Sequence, residues 1–390
     1  MRDREEVGRR PPAALLLAAR LPPDSVSRRT LEYCRLLADG GWRPFVAARD
    51  GPLATEVRRA GGRLVALPAE AGGFFARLRA LRKLAAFARE EGLRVLHVQR
   101  ASAAPLARAA AERLALPWLA TVHDLDELGD PASEPLLTAP RLLAVSEHVA
   151  EELGERHGVP AARIRVLPPA LDLAELAPER VHGARVAAVA TRWGLDLGRR
   201  VLLVPGPLVP AHGHRVLLRA LAKIAREDLS AVFIAAEDAD RTYVRELERA
   251  IREAGLGERV RFGAPPEDEP AALQLADLVV LPAIRPLPSA RVVLAAQAMG
   301  RPVVVSHLGA LPECVQPAST GWIVAAGDAE ELAWAIERAL SLDEEVRARL
   351  ALRARAFAAE GFALERVGRR LLETYEETLR EAAARGPARG

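Results

Sequence analysis

Short, almost wholly aliphatic runs recur along this chain, separated by stretches with helical spacing. AALLLAA (13–19), PFVAA (44–48), RLVALP (63–68), RVLHV (94–98), WLATV (118–122), RLLAV (141–145) and RIRVL (163–167) are runs of this kind. Each is too short for an independent helix and most lack polar alternation, so each predicts a strand buried on both faces. Between them, SRRTLEYCRLLADGG and FFARLRALRKLAAFAREEG place apolar side chains at i, i+3 and i+4, the pattern of an amphipathic helix. Alternation of this sort predicts an α/β architecture: a parallel sheet with helices on both faces.

The pattern then restarts. RVLLVPG (200–206), AVFIAA (231–236), RVRFG (259–263), DLVVLP (277–282), PVVVS (302–306) and GWIVA (321–325) form a second set of strands, again interleaved with helices. Between the sets, PPALDLAELAPERVHG (168–183) is Pro-rich with no strand or long-helix pattern, and reads as a connection. From Asp328 onward the pattern is helical throughout. A chain of 390 residues suits two cores rather than one. The expected organisation is therefore an N-terminal Rossmann-like domain over 11–168, a linker over 169–184 and a C-terminal Rossmann-like domain over 185–364. A final helix over 365–390 is expected to pack back on the first domain. Two doubly wound sheets would bind ligands beyond the carboxyl ends of their strands.

Composition narrows the function classes. Aromatics are 4% of the chain and the formal charge is only +3, with Arg scattered rather than gathered in a stripe, which argues against a nucleic-acid track. Cys34 and Cys314 sit far apart in patterned segments and read as two reduced thiols. There is no apolar run of about 18 residues, so no spanning helix is expected. GRRPPAALLLAARLPP has the look of a short signal peptide, but Arg20 cuts the apolar run and Glu5 and Glu6 spoil its basic flank. A first buried strand is the better reading.

Several stretches are candidates for chemistry. VPGPLVPAHGHRVLLRAL joins a strand to a helix through a glycine-bearing loop, a geometry that offers N–H groups and the helix dipole to an anion. There Gly206 and Gly213 would let a ligand approach the backbone, and His212 and His214 could donate; a turn with solvated histidines is the plainer alternative. TVHDLDEL (121–128) puts His123, Asp124, Asp126 and Glu127 past a strand. A metal site is one reading of it, and a solvated loop with an Asp cap is the better one. PPEDEP (265–270) is explained by the dipole of the helix after it, and SEHVAEELGERHG by a solvated face on a helix capped by Ser146. Neither cysteine nor Ser306 nor Ser319 has a nucleophile's local context.

Together, LLAVSEHVAEEL, HGVPAARIRVLPPALDLAEL, RWGLDLGRRVLLVPGPLVPAHGH, AQAMGRPVVVSHLGALPECV and TGWIVAAGDAEELAWAIERAL resemble the family-4 glycosyltransferases. The likeness runs over about residues 11–385 and is most specific over 200–340. It is similar to the subgroup whose phosphate loop reads P-G-R-L-T-R-W-K-G. The resemblance implies a GT-B fold, a nucleotide-sugar donor, transfer with retention, and a place in lipopolysaccharide or other envelope glycan assembly. By the same likeness Gly206, His212, Gly213, His214, Arg291, Gly309 and Glu313 fall on the donor side, with the Thr320-Gly321-Trp322 turn. His123 falls on the acceptor side as the one catalytic candidate. No metal or other cofactor is implied.

The departures are concentrated at the donor site. Where family members carry Arg and Lys to neutralise the departing diphosphate, this chain has Pro207 and His212. The paired glutamates, separated by seven residues, fall on Leu287 and Ala295. The glycine pair of the first loop corresponds to Asp24 and Ser25, and the usual N-G-V-D loop has become PALD, Pro169–Asp172. The depleted pattern implies a pseudoenzyme with weak or lost transfer activity, a partner of an intact homologous transferase. The alternative is an active retaining enzyme with a rearranged site in which His212, His214, Arg291 or Arg285 carries the phosphate. Expected partners are a nucleotide-sugar and a glycan or lipid-linked acceptor if active, with no nucleic acid. The expected location is the cytoplasm or the periphery of the inner membrane face.

Overall fold

The computed structural model describes residues 10–49, 51–70, 73–129, 133–236 and 239–385. Its strands are β1 (Ala13–Ala19), β2 (Arg43–Ala48), β3 (Arg63–Val65), β4 (Leu93–Val98), β5 (Trp118–Val122), β6 (Leu142–Ala144) and β7 (Ile164–Val166). The second set is β8 (Arg200–Val204), β9 (Leu229–Ile234), β10 (Val260–Gly263), β11 (Leu278–Leu281), β12 (Val303–Ser306) and β13 (Gly321–Val324). The helices in the first half are α1 (Ser25–Asp39), α2 (Ala54–Arg59), α3 (Phe74–Glu91), α4 (Ala104–Leu114), α5 (Glu134–Leu137), α6 (Glu147–Glu155) and α7 (Gly183–Arg192). They continue as α8 (His214–Lys223), α9 (Arg241–Glu253), α10 (Glu269–Leu275), α11 (Arg291–Ala298), α12 (Ala329–Leu340), α13 (Glu344–Phe362) and α14 (Leu364–Arg385). Short polar side chains start many of them: Asp24, Ser146, Asp240, Asp268, Asp328 and Asp343 each accept a first-turn N–H.

Two compact units result. The first comprises the chain up to Ala170 together with the part from Leu364 on, and the second spans Leu171–Ala363. In the first, seven parallel strands run in the order β3-β2-β1-β4-β5-β6-β7. All seven residues of β1 are buried, and the pleat sends them to two different cores. Ala13, Leu15 and Leu17 pack with α4 side chains such as Leu106, while Ala14, Leu16 and Ala18 pack with Tyr33 and Leu37 of α1. Each fully buried leucine contributes about 1.5–3 kcal/mol.

Helix α14 completes that second core through Val367, Leu371 and Tyr375. A buried polar thread anchors it to the sheet. The Tyr375 hydroxyl is 2.7 Å from His97 Nδ1, and His97 Nε2 is 2.7 Å from Thr121 Oγ1. Thr121 in turn donates to Tyr33. His97 thus carries its proton on Nε2 and accepts from Tyr375. Burial holds His97 well below the usual imidazole range, with the Arg29 charge adding to it, so the ring is neutral and both of its nitrogens are hydrogen-bonded.

The second unit has six parallel strands in the order β10-β9-β8-β11-β12-β13. Its strands divide between two cores in the same way: Val201 and Leu203 face one, Leu202 and Val204 the other. The expected separate linker over 169–184 is not what forms. Leu171 and Leu176 are buried in the second unit's core, and the Leu171 N–H donates to Phe362 O at 2.8 Å. The apolar side chains of this Pro-rich stretch are used for packing, so the unit begins at Leu171. Both orders reverse direction beside the first strand, between β1 and β4 and between β8 and β11, where doubly wound sheets open a crevice at their carboxyl edge.

Candidate functional site

At the second unit's crevice, β8 leads into Gly206, whose φ is +108°. A Cβ there would lie 2.5 Å from the imidazole of His212, so the ring rests directly on this glycine. Pro207 follows, with neither an N–H nor a charge to give a phosphate. The turn Pro210–His212 ends at Gly213, which has φ +73°, caps α8, and would collide with the carbonyl of Pro282 if it carried a Cβ. The Ile284 N–H donates to Ala211 O at 2.9 Å, clipping the loop after β11 to the turn after β8. Both glycines are therefore required by close approach within the unit itself.

The two histidines behave differently from a donor pair. His212 is half-buried, burial lowers its pKa, and its Nδ1 has no partner among the described residues, so it is neutral near pH 7. His214 is a correction to the expected site: it is fully buried and packs on Phe233 and Tyr243, with ring centroids 5.1 and 6.0 Å away. The cause is its place on the inner face of α8 with Leu217, Leu218 and Leu221. Burial, with the neighbouring His212 adding to it, depresses its pKa to about 4.

Arg291 is already engaged. Its guanidinium is bonded to the Glu269 carboxylate at 2.8 Å to each oxygen, so its charge is already matched. Behind it, Ala295 is 0% exposed. The carbonyl of Leu287 accepts from the Ala310 N–H at 2.9 Å, and Gly309, at φ +55°, lies so close that a Cβ would be 2.5 Å from the Leu287 backbone. Gly309 thus closes the β12 loop onto the segment after β11. Glu313 is half-buried in the turn Pro312–Cys314, and Thr320 Oγ1 accepts from the Gln316 N–H. Arg285 is exposed, one residue beyond Ile284. Gly206 and His212 come together at the β8 turn, and Arg285 follows Ile284, whose N–H is bonded to that turn; His214 is buried away from it and Arg291 is paired with Glu269.

The first unit's crevice contains a pair that sequence reasoning missed. Arg100, just past β4, reaches the carboxylate of Asp24, past β1, at 2.9 and 2.6 Å, and also Ser27 Oγ at 3.2 Å. Burial opposes ionisation of Asp24, but Arg100 and the Ser27 N–H outweigh it and hold the carboxyl below its usual range. Next to this pair, His123 is 9% exposed and its Nε2 is 3.2 Å from Gln99 Oε1. Burial, then the charges of Arg29 and Arg100, lower its pKa to about 3. His123 is a neutral hydrogen-bonding group and a poor base at pH 7. In the sequence Asp24 falls in the first loop, but nothing singles out Arg100, which lies 76 residues further on.

Asp124 accepts from the Asp126 N–H at 3.0 Å, as a turn does, and no group of three His, Cys, Asp or Glu among the described residues could hold a metal. Cys34 and Cys314 are free and buried, and burial pushes both thiols up, Cys34 to about 12.

Two Rossmann-like parallel units in one chain define the GT-B class of fold. Residues 26–175 match the family described as Glycosyltransferase Family 4 and residues 199–342 that described as Glycosyl transferases group 1. One match thus falls in each of the two units. It is 30% identical over 306 residues to the D-inositol 3-phosphate glycosyltransferases of Mycobacterium tuberculosis and Mycobacterium bovis, over 72% of this chain and 61% of theirs; it thus spans less than two thirds of their length. In fold it is similar to a glycosyltransferase from Rickettsia africae (TM-score 0.85, 20% identity, 95% of this chain and 99% of that one). It is also similar to HepE of Anabaena solved with UDP-glucose (0.80, 21%, 94% and 99%) and to WaaG, a glycosyltransferase involved in lipopolysaccharide biosynthesis (0.68, 16%, 93% and 99%).

Proposed function

We propose that this chain is a glycosyltransferase-like protein of envelope polysaccharide or lipopolysaccharide assembly with little or no transfer activity of its own, working beside an intact transferase. One observation carries the reading: the turn after β8 itself contains no Lys or Arg, because Pro207 and a neutral His212 stand there, and Arg291 is tied to Glu269. A preorganised donor aimed at developing charge is worth about 2.7–4 kcal/mol. Two missing cations correspond to a deficit of about 10⁴-fold or more. The buried Ala295 and the apolar Leu287 remove the means of orienting a donor sugar as well. UDP-glucose, the ligand solved with HepE, is the first donor to try. Calorimetry with UDP and turnover with UDP-glucose test the reading; transfer at a rate ordinary for such enzymes, roughly 1 per second or faster, would sink it.

A second reading has its own observation. Arg285 is exposed beside the clipped β8 turn, where one guanidinium could meet a phosphate in place of the missing pair. An active enzyme built this way would lose about 100-fold in kcat/KM on Arg285→Ala, whereas no effect on any measured transfer would exclude Arg285 as the replacement.

We place the protein in the cytoplasm, at most peripheral to a membrane. No helix among the described residues is long and apolar enough to cross one. In support of peripheral contact, Arg77, Arg79, Arg82 and Lys83 lie exposed on α3, and Phe75 is 83% exposed. Flotation should show more protein on vesicles containing phosphatidylglycerol than on neutral ones at low salt, with the difference vanishing near 0.5 M salt; equal recovery on both would remove the membrane from the account.

A further inference from the structure

Because all six strands of the second sheet are parallel, its amino edge faces away from the loops discussed above. At that amino edge, beside the entry to β13, lies a separate cavity of about 390 Å³, lined among others by Ser319, Trp322, Val346, Arg338, Arg349 and Arg353. This volume falls within the range of small-molecule sites, roughly 300–1,000 Å³. Arg349 is bonded to Glu345, and Glu345 therefore offsets one of the three guanidiniums. Arg338 on α12 and Arg353 on α13 have no carboxylate at ion-pair distance among the described residues. Two unmatched guanidiniums on different helices converge on one hollow with a half-buried indole in its wall. Guanidiniums suit phosphate oxygens, and an indole face suits a flat or sugar ring. The chain also turns into the cavity wall through Ala318, which holds φ +60°, a conformation a non-glycine residue adopts at a cost.

We propose that this cavity binds a phosphorylated ring compound, with Arg338 and Arg353 on the phosphate and Trp322 against the ring. The ring could come from a nucleoside phosphate or from a sugar phosphate; the phosphate on a ring is the shared chemistry. The site is independent of the β8 turn, so it stands or falls apart from the transfer reading.

The test is calorimetric titration of the full chain with ADP, glucose 6-phosphate and inorganic pyrophosphate, repeated with the Arg338→Gln/Arg353→Gln variant. Both arginines are exposed, so the variant should melt as the parent does. The proposal expects saturable binding of at least one ring phosphate, weakened roughly tenfold for each guanidinium removed and so about 100-fold in the variant. ADP alone binding identifies a nucleoside phosphate, and glucose 6-phosphate alone a sugar phosphate. Three results would each overturn it: equal affinity in parent and variant, no saturable binding of any of the three, or pyrophosphate binding as tightly as the ring compounds.

Discussion

A histidine opening a helix after a glycine turn is well placed to meet an anion, yet His214 lies inside the core, packed on Phe233 and Tyr243. Its chemistry belongs to stability. His214 and His123 have pKa values near 4 and 3, below the ordinary 6.5. As pH falls through 6.5 the unfolded chain takes up these protons and the folded one does not, so stability falls with acidification down to about pH 4. Each site contributes a slope of about 1.4 kcal/mol per pH unit across that window. Urea unfolding at pH 7 and pH 5 should therefore show a lower midpoint at pH 5. His214→Leu, which fits the apolar face of α8, should flatten the dependence by about 2 kcal/mol at pH 5. An unchanged slope would mean that His214 titrates normally in the fold.

At the scale of elements, α14 depends on one hydroxyl as well as on packing. Tyr375→Phe keeps the ring among Val367 and Leu371 but leaves His97 Nδ1 buried with no donor. It should cost about 1–3 kcal/mol in chemical denaturation, and a cost near zero would show that the thread through Thr121 and Tyr33 is not under tension. The strands themselves were legible because a parallel strand buried on both faces must be a short aliphatic run; each run quoted from the sequence became a strand, though β3 and β7, at the edges of the first sheet, are not buried on both faces. Leu171 and Leu176 were not legible as core, since two leucines among prolines carry no period. Pairings across sequence were hidden for the same reason: Asp24 and Arg100 are 76 residues apart, and Arg291 and Glu269 are 22 apart. The burial of His214 was legible, because Leu217, Leu218 and Leu221 share its helical face.

For the molecule as a whole, glycines and charges tell different stories. Gly206, Gly213 and Gly309 are explained by close approaches inside the second unit, so their presence speaks for the fold rather than for a donor. The turn after β8 holds Pro207 and the neutral His212 with no Lys or Arg, and Arg291 is paired with Glu269. On the function proposed above, fold and chemistry have separated here, as they can when a site is grafted on a common scaffold. The measurement that bears most directly on this is calorimetric titration of the folded chain with UDP, GDP, ADP and CMP, followed by UDP-glucose, in the Arg338→Gln/Arg353→Gln background to silence the amino-edge cavity. The account predicts no saturable binding up to about 1 mM, weaker than roughly −4 kcal/mol, and no transfer. Micromolar binding of one nucleotide in that background, lost on Arg285→Ala, would contradict it and establish a working donor site.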